Sequence, residues 1–142
     1  MSVSPPDFVM LREVVETLGA RPVLAVDTIA HLRGEDAGAI VMTGSHGGIS
    51  SGEYATTAAI KAVFFNDAGI GKDEAGTAAL PYLDARGIIA GTISHYSALI
   101  GNAGETWNFG VVSALNSLGE AAGFVVDEPV KQAVRRIFGT ST

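Results

Sequence analysis

Two histidines and one aspartate stand where this sequence could do chemistry. His46 lies in Gly44-Ser45-His46-Gly47-Gly48, Asp67 in Asn66-Asp67-Ala68-Gly69-Ile70-Gly71, and His95 in Ser94-His95-Tyr96-Ser97. Each follows an apolar run: residues 39–43, 62–65 and 88–93. Two imidazoles and a carboxylate would hold a divalent ion and leave positions open for water or substrate. Such an ion brings the pKa of a bound water to about 7, or polarises a carbonyl. Without metal, a histidine oriented by an aspartate is a general acid–base pair. It could also activate a hydroxyl of Ser45, Ser94 or Ser97. His-Glu-x-x-His does not occur, and Gly44-Ser45-His46-Gly47 has the wrong spacing for a Gly-x-Ser-x-Gly elbow. A purely structural role competes with both readings: histidines bonded to loop carbonyls, and Asp67 closing an Asx turn.

An anion site is expected beside this centre. Gly69-Ile70-Gly71 leads into a helix start, where free N–H groups attract carboxylate or phosphate. Lys72 follows, at a point where the helix dipole disfavours a cation. That placement points to an anionic ligand, with a salt bridge to Glu53 as the alternative. Ser45, Asn66, Ser97 and Asn102 are expected to orient substrate, and Asp27 ends a further apolar run at residues 23–26. Residues 94–107 read as a long loop, and such loops are usually functional. In it Tyr96 and Trp107 would exclude water and Asn102 or Glu105 would touch substrate, unless Trp107 anchors a subunit interface. Nucleotide motifs fail: Asp73 replaces the Ser or Thr of a P-loop, and Glu74 the third glycine of a dinucleotide fingerprint. The cofactor expected is a divalent metal ion on His46, Asp67 and His95, with no nucleotide.

These residues need elements to bring them together. Strands are predicted at 23–26, 39–43, 62–65 and 88–93, apolar throughout, as in a sheet covered on both faces. Helices are predicted between and around them. The first starts at Ser4-Pro5-Pro6-Asp7, carries the stripe Phe8, Leu11, Val15 and Leu18, and stops at Gly19. Others span 50–61, capped by Ser50 or Ser51, 73–86, and 111–122, which ends at Gly123. A last one starts at Pro129. Met10 and Met42 are assigned to the core and His31 to the surface. The alternation implies a Rossmann-like, three-layer α/β/α sandwich with about four mostly parallel strands, and ligands at the C-terminal strand ends. Residues 27–39 are short for a parallel crossover, and an antiparallel pairing there would take Asp27 away from the edge.

The bulk numbers describe one domain, residues 1–142. Hydrophobic residues make up 47% and charged residues 17%, with a mean hydropathy of +0.32. That surplus suits a homo-oligomer, which hides apolar surface between subunits. A net charge of −6 with no basic patch argues against nucleic acid and anionic membranes as partners. The chain has no cysteine. No apolar run is long enough to span a bilayer, and the N-terminal stretch lacks a signal-peptide pattern, so a cytoplasmic location is expected. A histidine before paired glycines at a strand end resembles clan-type cysteine peptidases. The cysteine those enzymes require is missing, so no role is carried over. The expected function is that of a hydrolase or lyase acting on an anionic, carboxylated metabolite through His46, Asp67 and His95. The alternative is a non-catalytic metabolite-binding module or oligomer subunit using the same edge.

Overall fold

The apolar runs form the middle of a mixed sheet whose edges come from segments with weaker patterns. The computed structural model describes residues 10–69 and 72–139, except for the side chains of residues 72–74. The expected helix start at Ser4-Pro5-Pro6-Asp7, with Phe8, lies outside the described residues, as does Gly71. Six strands pair in sequential order: β1 (Arg12–Leu18), β2 (Arg21–Val26), β3 (Ile40–His46), β4 (Ala62–Asn66), β5 (Ile89–Ile93) and β6 (Val112–Leu115). β2 to β5 are parallel, and β1 and β6 are antiparallel edges. The helices are α1 (Ile49–Ala55), α2 (Ala79–Asp84), α3 (Ala103–Phe109), α4 (Ser117–Ala122) and α5 (Val130–Phe138). The four strands expected are thus six, two of them antiparallel.

The spacing in both added strands predicts helix, and in both cases that spacing has another cause. β1 and β2 form a hairpin from Arg12↔Val26 to Leu18↔Arg21. Its two-residue turn is Gly19-Ala20, with Gly19 at φ +64°, so this glycine turns a hairpin and does not stop a helix. A bulge leaves Val15 unpaired between Val14↔Leu24 and Glu16↔Val23. Because of it, Val15 and Leu18, three apart, reach the same apolar cluster. The bulge also divides the charges. Arg12 grips Asp36 with bonds of 2.8 and 3.0 Å, while Glu16 meets Arg135 of α5. In residues 111–122 the stripe is shared by β6 and α4, and Leu115 and Leu118 join one cluster from different elements. Asn116 caps α4 between them, accepting from Gly119 N–H.

Other boundaries also move. α1 is capped by Gly48, so Ser50 and Ser51 sit within its first turn and cap nothing. Residues 73–86 divide into a 3-10 helix, Lys72–Thr77, and α2. Residues 94–107 are a loop only to 102, where α3 begins, and Trp107 is buried in that helix. Met10 is 49% exposed and so not core, whereas Met42 is fully buried. The short join from β2 to β3 is two 3-10 turns, and the pairing is parallel from Val23↔Ile40 onward. Asp27 therefore stays at the edge with the other strand ends.

Alternate residues of the strands feed two apolar clusters. Leu24, Val41, Val63 and Phe65 pack with Ile29, Ala55, Leu80 and Leu83. Val23, Met42 and Phe64 pack with Trp107, Val130 and Val134. The sequential strand order accounts for this division. Successive right-handed crossovers running in one direction leave their helices on one face. α1 and α2 both supply the first cluster. The other face needs later elements, and α3 and α5 supply them. No reversal of strand order occurs among β2 to β5, so this edge lacks the switch-point crevice of a doubly wound sheet. Among the described residues no helix is long and apolar enough to cross a membrane.

Candidate functional site

The parallel register aligns three of the expected residues. His46 of β3 pairs with Asn66 of β4, and Asn66 pairs with Ile93 of β5. Asp67 and His95 lie just beyond. The β3–β4 register slips between Met42 and His46, so residues 43–45 face a single residue of β4. Such a slip re-aims the side chain that follows it. After Asp67 the chain turns through Ala68 and Gly69, both left-handed, at φ 51° and 75°. Their N–H groups donate to Asn66 Oδ1 at 2.7 Å and Asp67 Oδ1 at 2.8 Å, two successive Asx turns.

Asp67 and His95 are joined directly. Asp67 Oδ1 lies 3.0 Å from His95 Nδ1 and also accepts the His95 backbone N–H at 3.1 Å. Asp67 is 4% exposed. Burial raises its pKa, but bonds from Gly69 N–H, the Ser113 hydroxyl and His95 outweigh that and hold the carboxyl below its usual range. Asp67 is therefore an anion at neutral pH and only accepts. An acceptor-only carboxylate fixes the proton of the ring nitrogen it touches. Thr92 Oγ1 lies 2.9 Å from Ser113 Oγ, and either hydroxyl can donate to the other. His95 Nδ1 carries a hydrogen, so in the neutral ring Nε2 is the bare lone pair. No hydrogen-bond partner for Nε2 occurs among the described residues. The side chain is 38% exposed, and the ring packs against Tyr96 at a centroid distance of 4.0 Å. A buried carboxylate thus holds a partly exposed imidazole by one nitrogen and leaves the other without the ring hydrogen.

Ser113 belongs to β6, whose spacing predicts helix, and no local signal marks Thr92 within an apolar strand.

His46 is set differently. Its Nδ1 accepts Gly48 N–H at 3.0 Å, so the neutral ring carries its hydrogen on Nε2. Among the described residues no three His, Asp or Glu side chains group as metal ligands would. The remaining expected residues are engaged by backbone. Ser45 Oγ accepts from Ile29 N–H. Buried Asn66 donates to Ala98 O. Ser97 Oγ donates to Ser94 O and accepts from Val111 N–H. Asn102 caps α3 through Glu105 N–H, and the Glu105 carboxylate accepts from Leu99 N–H. Asp27 accepts from Leu11 and Ala103 N–H and so ties β1 and α3 to the edge. Lys72 opens the 3-10 helix after the Gly69 turn, and its side chain lies outside the described set. Two shallow clefts lie at this edge. One, of about 330 Å³, includes His46, Ser45, Asp27 and Ile100. The other, of about 390 Å³, includes Ser94, Tyr96, Ser113 and Asp127.

Asp67 makes stability acid-sensitive. A carboxyl whose folded pKa is depressed contributes stability above its unfolded pKa, and that contribution is lost as pH falls through the folded value. Asp36 adds to this. Burial raises its pKa, but the Arg12 guanidinium and Arg33 N–H outweigh it. The urea midpoint should fall as pH drops below about 4, and Asp36→Asn should flatten part of that fall. A midpoint constant from pH 6 to 3 would contradict both assignments.

Comparison of the chain with protein-family models, with curated proteins and with solved structures found no match. Fold and site together define a mixed α/β protein with a carboxylate–histidine pair at the C-terminal ends of parallel strands.

Proposed function

We propose that this chain is a small-molecule enzyme, a hydrolase or lyase, in which His95 moves a proton through Nε2 while Asp67 holds its ring. The observation that carries this reading is the Asp67–His95 bond of 3.0 Å, with Asp67 buried and the His95 side chain 38% exposed. As a general base, His95 would take a proton from water or from a carbon beside a carboxylate. The anion Asp67 would stabilise the imidazolium that forms. An anionic, carboxylated metabolite is the proposed substrate class, with Lys72 and the Gly69 turn on its charged group and Tyr96 covering the His95 ring. His46 would join as a proton donor through Nε2–H, or as a ligand if a divalent ion bridges it to Asp67 and His95. The two apolar clusters support a three-layer α/β/α arrangement. Exposed Tyr96, Leu99, Ile100 and Phe109 support a homo-oligomer.

The test is a screen of ester, amide and elimination reactions on carboxylated compounds, run in parallel with His95→Ala. Any turnover found should drop by about 10²–10⁴-fold in the variant with its melting temperature unchanged. Turnover equal in both proteins would sink the proposal. Carboxylates that raise the melting temperature of both proteins, with no reaction, would favour the non-catalytic binding module. Elemental analysis decides the metal: a stoichiometric divalent ion, lost in both His46→Ala and His95→Ala, would add a Lewis acid to the site.

A further inference from the structure

We propose a second ligand site at the opposite end of the sheet, a cleft that takes a small amphiphilic carboxylate with its head on Arg21 and its apolar body on α5. This cleft, of about 470 Å³, has Leu18, Arg21, Pro22, Gly38, Ile137 and Phe138 among its walls. Its volume is in the range of small-molecule pockets. Leu18, Ile137 and Phe138, which pack onto the apolar cluster beneath α5, give the cleft its apolar part.

The charge on its wall is the second observation. The Gly19-Ala20 turn places Arg21 as the first residue of β2, and its Nη1 donates to Gly38 O at 2.9 Å. That bond uses one nitrogen of the fork. The other arginines are satisfied elsewhere. Arg12, Arg33, Arg135 and Arg136 pair with acids, and Arg86 lies over the Tyr82 ring while donating to Tyr82 O. Among the described residues Arg21 has no acidic partner and no aromatic ring over it, in a chain with 15 acids against 9 Lys and Arg. A half-buried guanidinium with free donors is suited to a carboxylate, which it can bind through two parallel bonds. The strands separate this cleft from His95 by roughly 20 Å, so its ligand does not occupy the acid–base site.

Octanoate is the probe, with acetate, octanol and inorganic phosphate as controls, read by chemical-shift titration of the full chain. Octanoate should saturate, shifting Arg21 and α5 signals. Acetate lacks the body, octanol the charge and phosphate both the body and the carboxylate. Each should bind about tenfold more weakly or worse. Arg21→Gln, which removes the charge and the fork but keeps the stem of the side chain, should melt within about 2 °C of the unaltered chain and lose octanoate affinity by about tenfold or more. His95→Ala should bind octanoate as the unaltered chain does. Unchanged affinity in Arg21→Gln, octanol binding as well as octanoate, no saturable binding, or loss of affinity in His95→Ala would each overturn the proposal. Because turnover is not measured, this test stands or falls separately from the acid–base reading.

Discussion

Asp67→Asn should leave the chain folded while removing about 10²-fold or more of the turnover that depends on His95. Gly69 N–H, His95 N–H and His95 Nδ1 all bond one oxygen, Asp67 Oδ1. An amide that keeps its oxygen there still accepts from His95 Nδ1–H, so the ring keeps its place and its tautomer. What the variant removes is the negative charge, and an imidazolium forming on His95 loses the anion that stabilises it. Imidazole nitrogen NMR separates charge from tautomer: His95 should stay Nδ1–H in the variant, while His46 stays Nε2–H. Unchanged turnover with an unchanged tautomer would show that the Asp67 charge does no work on His95. Asp67→Ala is the harsher change. It leaves buried donors unsatisfied and should also cost about 3 kcal/mol of stability.

Gly44→Ala should lower the melting temperature by about 10 °C, from a loss of about 3 kcal/mol. Gly44 is not among the left-handed glycines, so its constraint is space. A Cβ there would overlap the backbone of Gly101 and Asn102, which cannot rotate out of the way. Gly101 N–H donates to Gly44 O at 2.7 Å, and Asp27 ties Ala103 N–H to the same place. The methyl group would push the 99–102 segment off β3, and with it the start of α3. Gly34 is the internal control, since a Cβ there meets nothing within 4 Å. Gly34→Ala should melt within about 2 °C of the unaltered chain. Equal melting points for the two variants would mean that the loop is not clamped against β3.

The sequence by itself determined the four parallel strands, the edge at which Asp27, His46, Asp67 and His95 end, the stop at Gly123 and the helix start at Pro129. Each is a local signal: an apolar run bounded by turn residues, or a residue whose backbone preference ends or begins a helix. Gly123 does lie in the left-handed region, at φ 110°. Tertiary structure alone decided the rest. β1 and β6 are edge strands with partial burial, so alternation is weak in them, and a bulge or a shared cluster imitates helical spacing. Strand order leaves no local trace, yet it removes the switch-point crevice and leaves the edge with shallow clefts. The bond between Asp67 and His95 crosses 28 positions of chain. The hydroxyl that supports Asp67 comes from β6, and Gly48 determines which nitrogen of His46 carries hydrogen. Residue types made the chemistry conceivable. Only the folded chain, by placing donors around one buried carboxylate, joined His95 to Asp67 through Nδ1 and left Nε2 as the nitrogen without hydrogen.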